Sequence, residues 1–190
     1  VDPNQACGYI TVYDMINDKI VYEDHKCITL TLPYISGFLG FREMPVYEEL
    51  LNTLKKDKSD LYPDITLVDG CGILHHKCFG SASHLGYVHD ISTIGVSKTL
   101  LCVDGLDEKE VKKQFKDNCK VKGDYVNLVG ISGKIYGVAL KGSDNTENPI
   151  YVSVGHKISL ETAIKIVTKC CKYRIPEPIR NSDIKSKLFL

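Results

Sequence analysis

The chain has no surplus of either charge: 24 Lys and Arg balance 24 Asp and Glu, for a formal net charge of zero. A neutral molecule has no overall field to draw in a polyanion, so any contact with nucleic acid must rest on local patches. No apolar run approaches the ~20 residues that a membrane-spanning helix needs, and nothing at the amino end resembles a signal peptide. A cytoplasmic or nuclear protein without a membrane partner is therefore expected. Internal repeats and low-complexity segments are also missing, which excludes a stacked-repeat architecture. The 8 cysteines are scattered through strands, loops and a helix of a 190-residue chain long enough to bury an ordinary core. Free thiols are expected from that distribution rather than a disulfide framework. One domain over residues 1–190, monomeric, is the expectation from length. Three basic clusters (Lys55-Lys56-Lys58, Lys112-Lys113-Lys116, and Lys169, Lys172, Arg174 and Arg180) read first as solvated faces.

The informative stretch runs from Tyr62 to Lys98. Ile65-Thr66-Leu67-Val68 reads as a buried strand that ends on Asp69-Gly70. A loop with His75 and His76 follows, and then a Gly/Ser/Ala-rich helix around Gly80 to Gly86. A second strand, Thr93-Ile94-Gly95-Val96, ends on Ser97-Lys98. Two neighbouring parallel strands would deliver Asp69 and Lys98 to one sheet edge, where α/β sheets bind ligands.

Upstream, Gly8–Met15, Lys19–Glu23 and Lys26–Leu32 read as three antiparallel strands. The segment from Pro33 to Glu43 is too rich in glycine and aromatics for a routine connection. Pro45 suits the first turn of a following helix with Val46, Leu50, Leu51 and Leu54 on one stripe. Glu43 then sits just ahead of a helix start, where an acid serves the helix dipole and need do nothing else. Downstream come a charged helix over Asp107–Lys116 and a hairpin of Tyr125–Val129 with Ile135–Leu140. A polar loop spans Gly142–Pro149, and a strand spans Ile150–Val154. Gly155-His156-Lys157 forms a loop, and Ser159 caps a helix running to about Lys172. Pro176 and Pro178 are expected to end regular structure. The sum is an α/β fold: three antiparallel strands followed by parallel strands in a mixed sheet flanked by helices.

Metal-dependent phosphodiester cleavage needs carboxylates converging on hard cations, two of which stand about 3.5–4 Å apart in two-metal sites. The candidates are Asp69, Glu43 and Asp2, with His156 to steer a proton or water and Lys98 to neutralise charge. Spacing alone leaves Asp69-Gly70 as readily a turn as a ligand. Cys71, His75, His76 and Cys78 crowd one loop without the second half that structural zinc requires. Nothing local marks Cys71 or Cys78 as an activated thiolate to work with His156. Cys170-Cys171 reads as helix packing.

Several motifs in register carry a resemblance. V-D-G-C-G-I-L-H-H-K-C-F-G-x-A-S-H-L-G lies between P-Y-I-S-G-F-L-x-F-R-E and I-G-V-S-K, and V-S-V-G-H-K-I-S-L-E-T-A and Y-R-I-P-E-P-I-R follow. Together they resemble endonuclease V, in its animal form, from about Gly8 to Lys187. The resemblance implies a ribonuclease H-like fold and a nuclease using Mg2+, with Mn2+ as a substitute. Its expected substrate is inosine-containing single-stranded RNA, cut at the second phosphodiester bond on the 3′ side of inosine. Deoxyinosine-containing DNA is the alternative substrate, and a non-cutting inosine reader the alternative class. It implies Asp2, Glu43 and Asp69 as metal-binding catalytic carboxylates, with Lys98 and His156 beside them. Tyr34 and Ile35 fall in a wedge beside the displaced base, with Ser36 where relatives carry proline. Gly37, Leu39 and Gly70 match positions whose main chain lines the hypoxanthine pocket, and His75 matches the histidine after the family's D-G motif, expected to bind substrate. A flipped purine can be read at its edge by fixed backbone groups, which glycine allows to approach closely.

Overall fold

Asp14 ends the first strand by folding its carboxylate back onto the turn. Its Oδ1 accepts the main-chain N–H of Ile16 (2.9 Å) and Asn17 (3.0 Å), and Asp18 takes the left-handed conformation that closes the corner. The computed structural model describes residues 5–33, 35 and 37–189. Asp2, Tyr34 and Ser36 lie outside the described residues. Strands β1 (Gln5–Asp14) and β2 (Lys19–Thr29) form an antiparallel hairpin paired from Gln5 opposite Thr29 to Asp14 opposite Lys19, with a register shift between Val12 and Tyr13. The two strands expected over Lys19–Glu23 and Lys26–Leu32 are thus one. Asp24 and His25 continue the ladder because a single antiparallel partner pairs all along it.

Helix α1 (Leu39–Asp57) begins six residues before Pro45 and runs through it. The ring removes one ladder hydrogen bond, but Met44 and Val46 on either side are both buried, and their packing holds the helix together. Then come β3 (Ile65–Asp69), α2 (Ser81–His89) and β4 (Ser92–Ser97), with β3 and β4 parallel as expected. Helix α3 (Glu108–Asn118) is capped by Asp107, whose side chain accepts the N–H of Glu110 at 2.9 Å. Strands β5 (Tyr125–Val129), β6 (Ile135–Leu140) and β7 (Ile150–His156) follow. Helix α4 (Leu160–Cys170) is capped by Ser159. A helix not expected from the sequence, α5 (Glu177–Ser186), starts at the two prolines thought to end regular structure. Proline suits a first turn, where its missing N–H has no intrahelical partner to lose.

The main sheet runs β3-β4-β7-β6-β5, with one parallel pair and the rest antiparallel, so it is a mixed sheet flanked by helices. One face packs Ile94, Val152 and Leu140 against Ala163 and Val167 of α4 and Ile179 of α5. The other packs Leu128 and Tyr151 against Val111 and Phe115 of α3. A third cluster joins Met44 and Leu51 of α1 to Val68 of β3 and to Ala82 and Leu85 of α2. Among the described residues, no strand pairs with the outer edge of β3, and the β1–β2 hairpin forms a sheet of its own. A cleft of about 890 Å³ lies between β1 and β3. Helix α5 ties its two sides together: Thr11 of β1 bonds Ser182 at 2.8 Å and accepts Asn181 Nδ2 at 3.0 Å.

Candidate active site

The parallel pair does to Asp69 and Lys98 what two adjacent strand ends must do. Asp69 is the last residue of β3, and Lys98 follows β4 directly. Gly70 N–H donates to Val96 O at 3.0 Å and keeps the two ends together. Lys98 Nζ stands 2.8 Å from Asp69 Oδ2. It also stands 3.3 Å from Asp183 Oδ2 of α5. Burial pulls the Lys98 ammonium down, but the two carboxylates outweigh it and hold it above its ordinary value. Burial likewise raises Asp183, and Lys98 and Lys187 outweigh it, leaving that carboxyl below its ordinary range. The Lys98 main chain is pinned as well. Its carbonyl accepts Arg174 Nη2 at 2.7 Å, and the same guanidinium grips Pro149 O at 2.8 and 3.1 Å.

Glu43 enters from the other side. It lies beyond the first turn of α1, which contains no acid, so it is not there to serve the helix dipole. Burial raises its carboxyl to about 7, opposed by the Tyr47 hydroxyl that donates to it, and the Asp69 charge adds to the rise. Glu43, Tyr47, Asp69 and Asp183 all line the cleft. Two acids 26 positions apart in sequence therefore act on one volume.

Gly37, expected at a purine pocket, stands two residues before the cleft-lining Leu39. Gly37 holds φ at +81°, a conformation that side-chain-bearing residues rarely adopt. The space a Cβ would take there lies 3.7 Å from His75 Nε2. His75 is 7% exposed. Its Nδ1 accepts the Lys77 N–H at 3.2 Å, which leaves Nε2 as the protonated nitrogen bonded to the Gly37 carbonyl. Burial holds the ring below the usual histidine range, so it stays neutral near pH 7. Gly70 backs directly onto Ser81 at the start of α2. Ile35, 52% exposed, accepts the Phe38 N–H at 2.9 Å and turns the chain into α1.

His156 is not brought to the acids. It is the last residue of β7 and pairs with Thr93 at the start of β4, whereas Lys98 follows the opposite end of that strand. The reason is register: β7 runs antiparallel to β4 and continues two residues beyond Val154, carrying the histidine away. There it meets the Tyr87 ring edge-on at 6.3 Å and faces Asp90 at 3.8 Å. Asp183 and Arg174, which do reach the site, were not expected from the sequence. Proline next to Glu177 was the available signal for the helix that carries Asp183.

Among the described residues, no group of three or more His, Cys, Asp or Glu is placed to hold a metal ion. The donors present nonetheless suit a hard cation. Glu43 and Asp69 offer carboxylate oxygens to one cleft, and Mg2+ often takes one or two carboxylates while keeping several waters.

A mixed α/β sheet with carboxylates and a lysine at the ends of its parallel strands is the ribonuclease H-like arrangement. The endonuclease V family model matches residues 1–184. The chain belongs to the endonuclease V family. It is 44% identical over 189 residues to endonuclease V of Mus musculus, covering 100% of this chain and 56% of that protein. It is 43% identical to that of Homo sapiens, covering 98% of this chain and 66% of that protein. The chain thus spans between about half and two-thirds of these relatives' lengths. The crystal structure of the catalytic domain of human endonuclease V superposes with a TM-score of 0.95 at 42% identity, covering 99% of this chain and 76% of that one. Ciona intestinalis endonuclease V, solved with a 24mer DNA containing an inosine followed by a ribo-adenosine, gives 0.93 at 38% identity, covering 99% and 80%.

Proposed function

We propose that this chain is a divalent-metal-dependent endonuclease that cuts inosine-containing RNA at the second phosphodiester bond 3′ to inosine. It would act as a monomer in the cytoplasm or nucleus, with Mg2+ or Mn2+ as cofactor. The supporting observation is that Glu43 and Asp69 line one cleft together with Leu39, two residues after Gly37, whose main chain packs against His75. Glu43 and Asp69, with Asp2 as the third carboxylate implied by the family resemblance, would hold the ion, which would supply water activation and charge neutralisation at phosphorus. Tyr47 donates to the Glu43 carboxyl and orients it, and Glu43 would have to release its proton before it could serve as a ligand. Lys98 places a fixed positive charge beside Asp69, where negative charge grows on the phosphoryl oxygens. Asp183 shares that ammonium with Asp69, and Arg174 pins the main-chain carbonyl of the same residue.

At the other end of the site, inosine offers an N1–H donor and an O6 acceptor, the reverse of adenine. Main-chain groups around Gly37 and Gly70 read that edge, and a close wall excludes the extra amino group of guanine. Labelled RNA and DNA strands with one inosine, adenosine or guanosine at the same position test this directly. The expected result is metal-dependent cutting of the inosine RNA at the second 3′ bond, with matched DNA slower. Equal cutting of inosine and guanosine strands overturns the pocket. Tight binding without cutting in any metal makes the protein an inosine reader instead.

A further inference from the structure

One exposed feature takes no part in the chemistry above. Six rings from four separate elements form a continuous ladder across the surface of α1 and α2. Phe38 and Phe41 lie 6.2 Å apart, and Phe41 meets His84 at 5.2 Å. His84 meets Phe79 at 5.9 Å, Phe79 meets Tyr87 at 6.2 Å, and Tyr87 meets His156 at 6.3 Å. Phe38 is 50% exposed, Phe41 58%, Phe79 46% and Tyr87 69%. A single exposed aromatic needs no explanation, but a contiguous apolar strip marks a contact surface.

The direction of the ladder is set by the fold. Helix α2 returns from the end of β3 to the start of β4, so its first turn stands beside Gly70 and its last beside Thr93 and His156. Phe38 follows Gly37, and Phe79 sits in the loop that carries His75. One end of the ladder is therefore continuous with the purine pocket, and the other reaches the far edge of the sheet. Cationic groups flank it. Lys134 Nζ stands 3.0 Å from Cys78 Sγ beside Phe79 and Lys77 is exposed in the same loop, while Lys157, next to His156, is paired with Asp90.

We propose that this ladder is a stacking track for the unpaired bases of the strand whose inosine occupies the pocket, with Tyr87 and Phe79 as its principal platforms. The proposal rests on the nucleic-acid reading given above. Bases stack on aromatic faces without regard to sequence, while lysines follow the phosphates. A base inserted between two rings would need two stacking distances of about 3.4 Å each. The ring separations are all shorter than that, so the bases lie on the outward faces. The edge-on contacts, 72° for Phe79–Tyr87 and 81° for Tyr87–His156, brace the rings, and each covers at most one face of a pair. A track of this kind selects strands that are single-stranded beside the lesion, because paired bases cannot reach it.

The test is affinity against oligonucleotide length in the absence of divalent metal. Single-stranded RNAs with a central inosine, extended stepwise on either side, are titrated against the parent chain and Phe79→Ala, Tyr87→Ala, Tyr87→Leu and Tyr87→Trp. The parent should gain affinity with length on one side only. Each Ala variant should lose about tenfold on the long strand, with the loss growing as the strand lengthens. Tyr87→Trp should keep or improve binding, and Tyr87→Leu should fall with Ala, which separates stacking from plain apolar contact. A loss equal at all lengths, or full binding by Tyr87→Leu, overturns the track. Unchanged binding by both Ala variants while the parent still cuts at inosine also overturns it, and leaves the proposed function standing. Ring-dependent, length-dependent binding of a strand without inosine supports the track even if no cutting is ever seen. Because Tyr87 is largely in water, unchanged thermal unfolding of its variants identifies any binding loss as local.

Discussion

The two ends of the site are built on opposite principles. At the acid end, charges are crowded and partly buried: Lys98 is shared by Asp69 and Asp183, and burial raises Glu43 to about 7. Around Gly37 the groups carry no charge, a buried neutral His75 and glycine main chain, and the ladder beyond presents exposed Phe and Tyr rings. The first region stores electrostatic cost that a cation would relieve. The second offers shape and stacking, with its charges only at the margin. One end is thus suited to turnover and the other to choosing what is turned over, and substitutions should separate the two.

Asp69→Asn should break the acid end most severely. Turnover of bound inosine RNA should fall by at least ~100-fold, the scale of losing one preorganised charge-stabilising group, while affinity measured without metal stays within a few-fold. Single-turnover cleavage beside equilibrium binding checks both, and lost affinity with preserved turnover would merge the two regions.

Glu43→Gln should sharpen the contrast through stability. The folded carboxyl titrates near 7 and the unfolded one near 4.5, so the native state holds an extra proton between those values. Stability contributed by the neutral acid is complete below pH 4.5, is lost as pH rises to 7, and stays lost above it. Without metal, Glu43→Gln should therefore be more stable than the parent at pH 8, by at most about 3 kcal/mol, and equal to it near pH 4. Urea denaturation at the two pH values reads the difference. The same variant should be nearly inactive.

Arg174→Ala should slow turnover by roughly tenfold with little change in substrate affinity. It frees the Lys98 carbonyl and lets the ammonium drift, and small misplacements are costly to chemistry. Unchanged kcat would show that Asp69 and Asp183 suffice to place Lys98. Gly37→Ala should have the smallest effect, about 1 kcal/mol of backbone strain at its positive φ. It should appear as reduced preference for inosine over guanosine and not as lower maximal turnover.

The sequence displayed some of this and concealed the rest for identifiable reasons. Asp69 and Lys98 could be placed because each ends a short apolar strand, and two parallel strands joined by one helix have a single arrangement of ends. Glu43 could be named but not positioned. Its helix begins at Leu39 because buried Met44 and Val46 outweigh the proline between them, a tertiary effect absent from local pattern. His156 was assigned to the acids because the length and register of β7 are not written in its residues; pairing with Thr93 decides them. Asp183 stayed hidden because Pro176 and Pro178 were read as a stop when they begin a helix. Arg174 holds Lys98 and Pro149 across long loops, and no spacing signals such a contact.

Convergence of Glu43 and Asp69 on one cleft is the claim beneath all of this. The most direct measurement is the titration of the Glu43 side-chain carboxyl by carbon-detected NMR in metal-free protein, repeated in Asp69→Asn. Convergence predicts a midpoint near 7 in the parent and a lower one when the Asp69 charge is removed. A midpoint near 4.5 that does not move between the two proteins would contradict it.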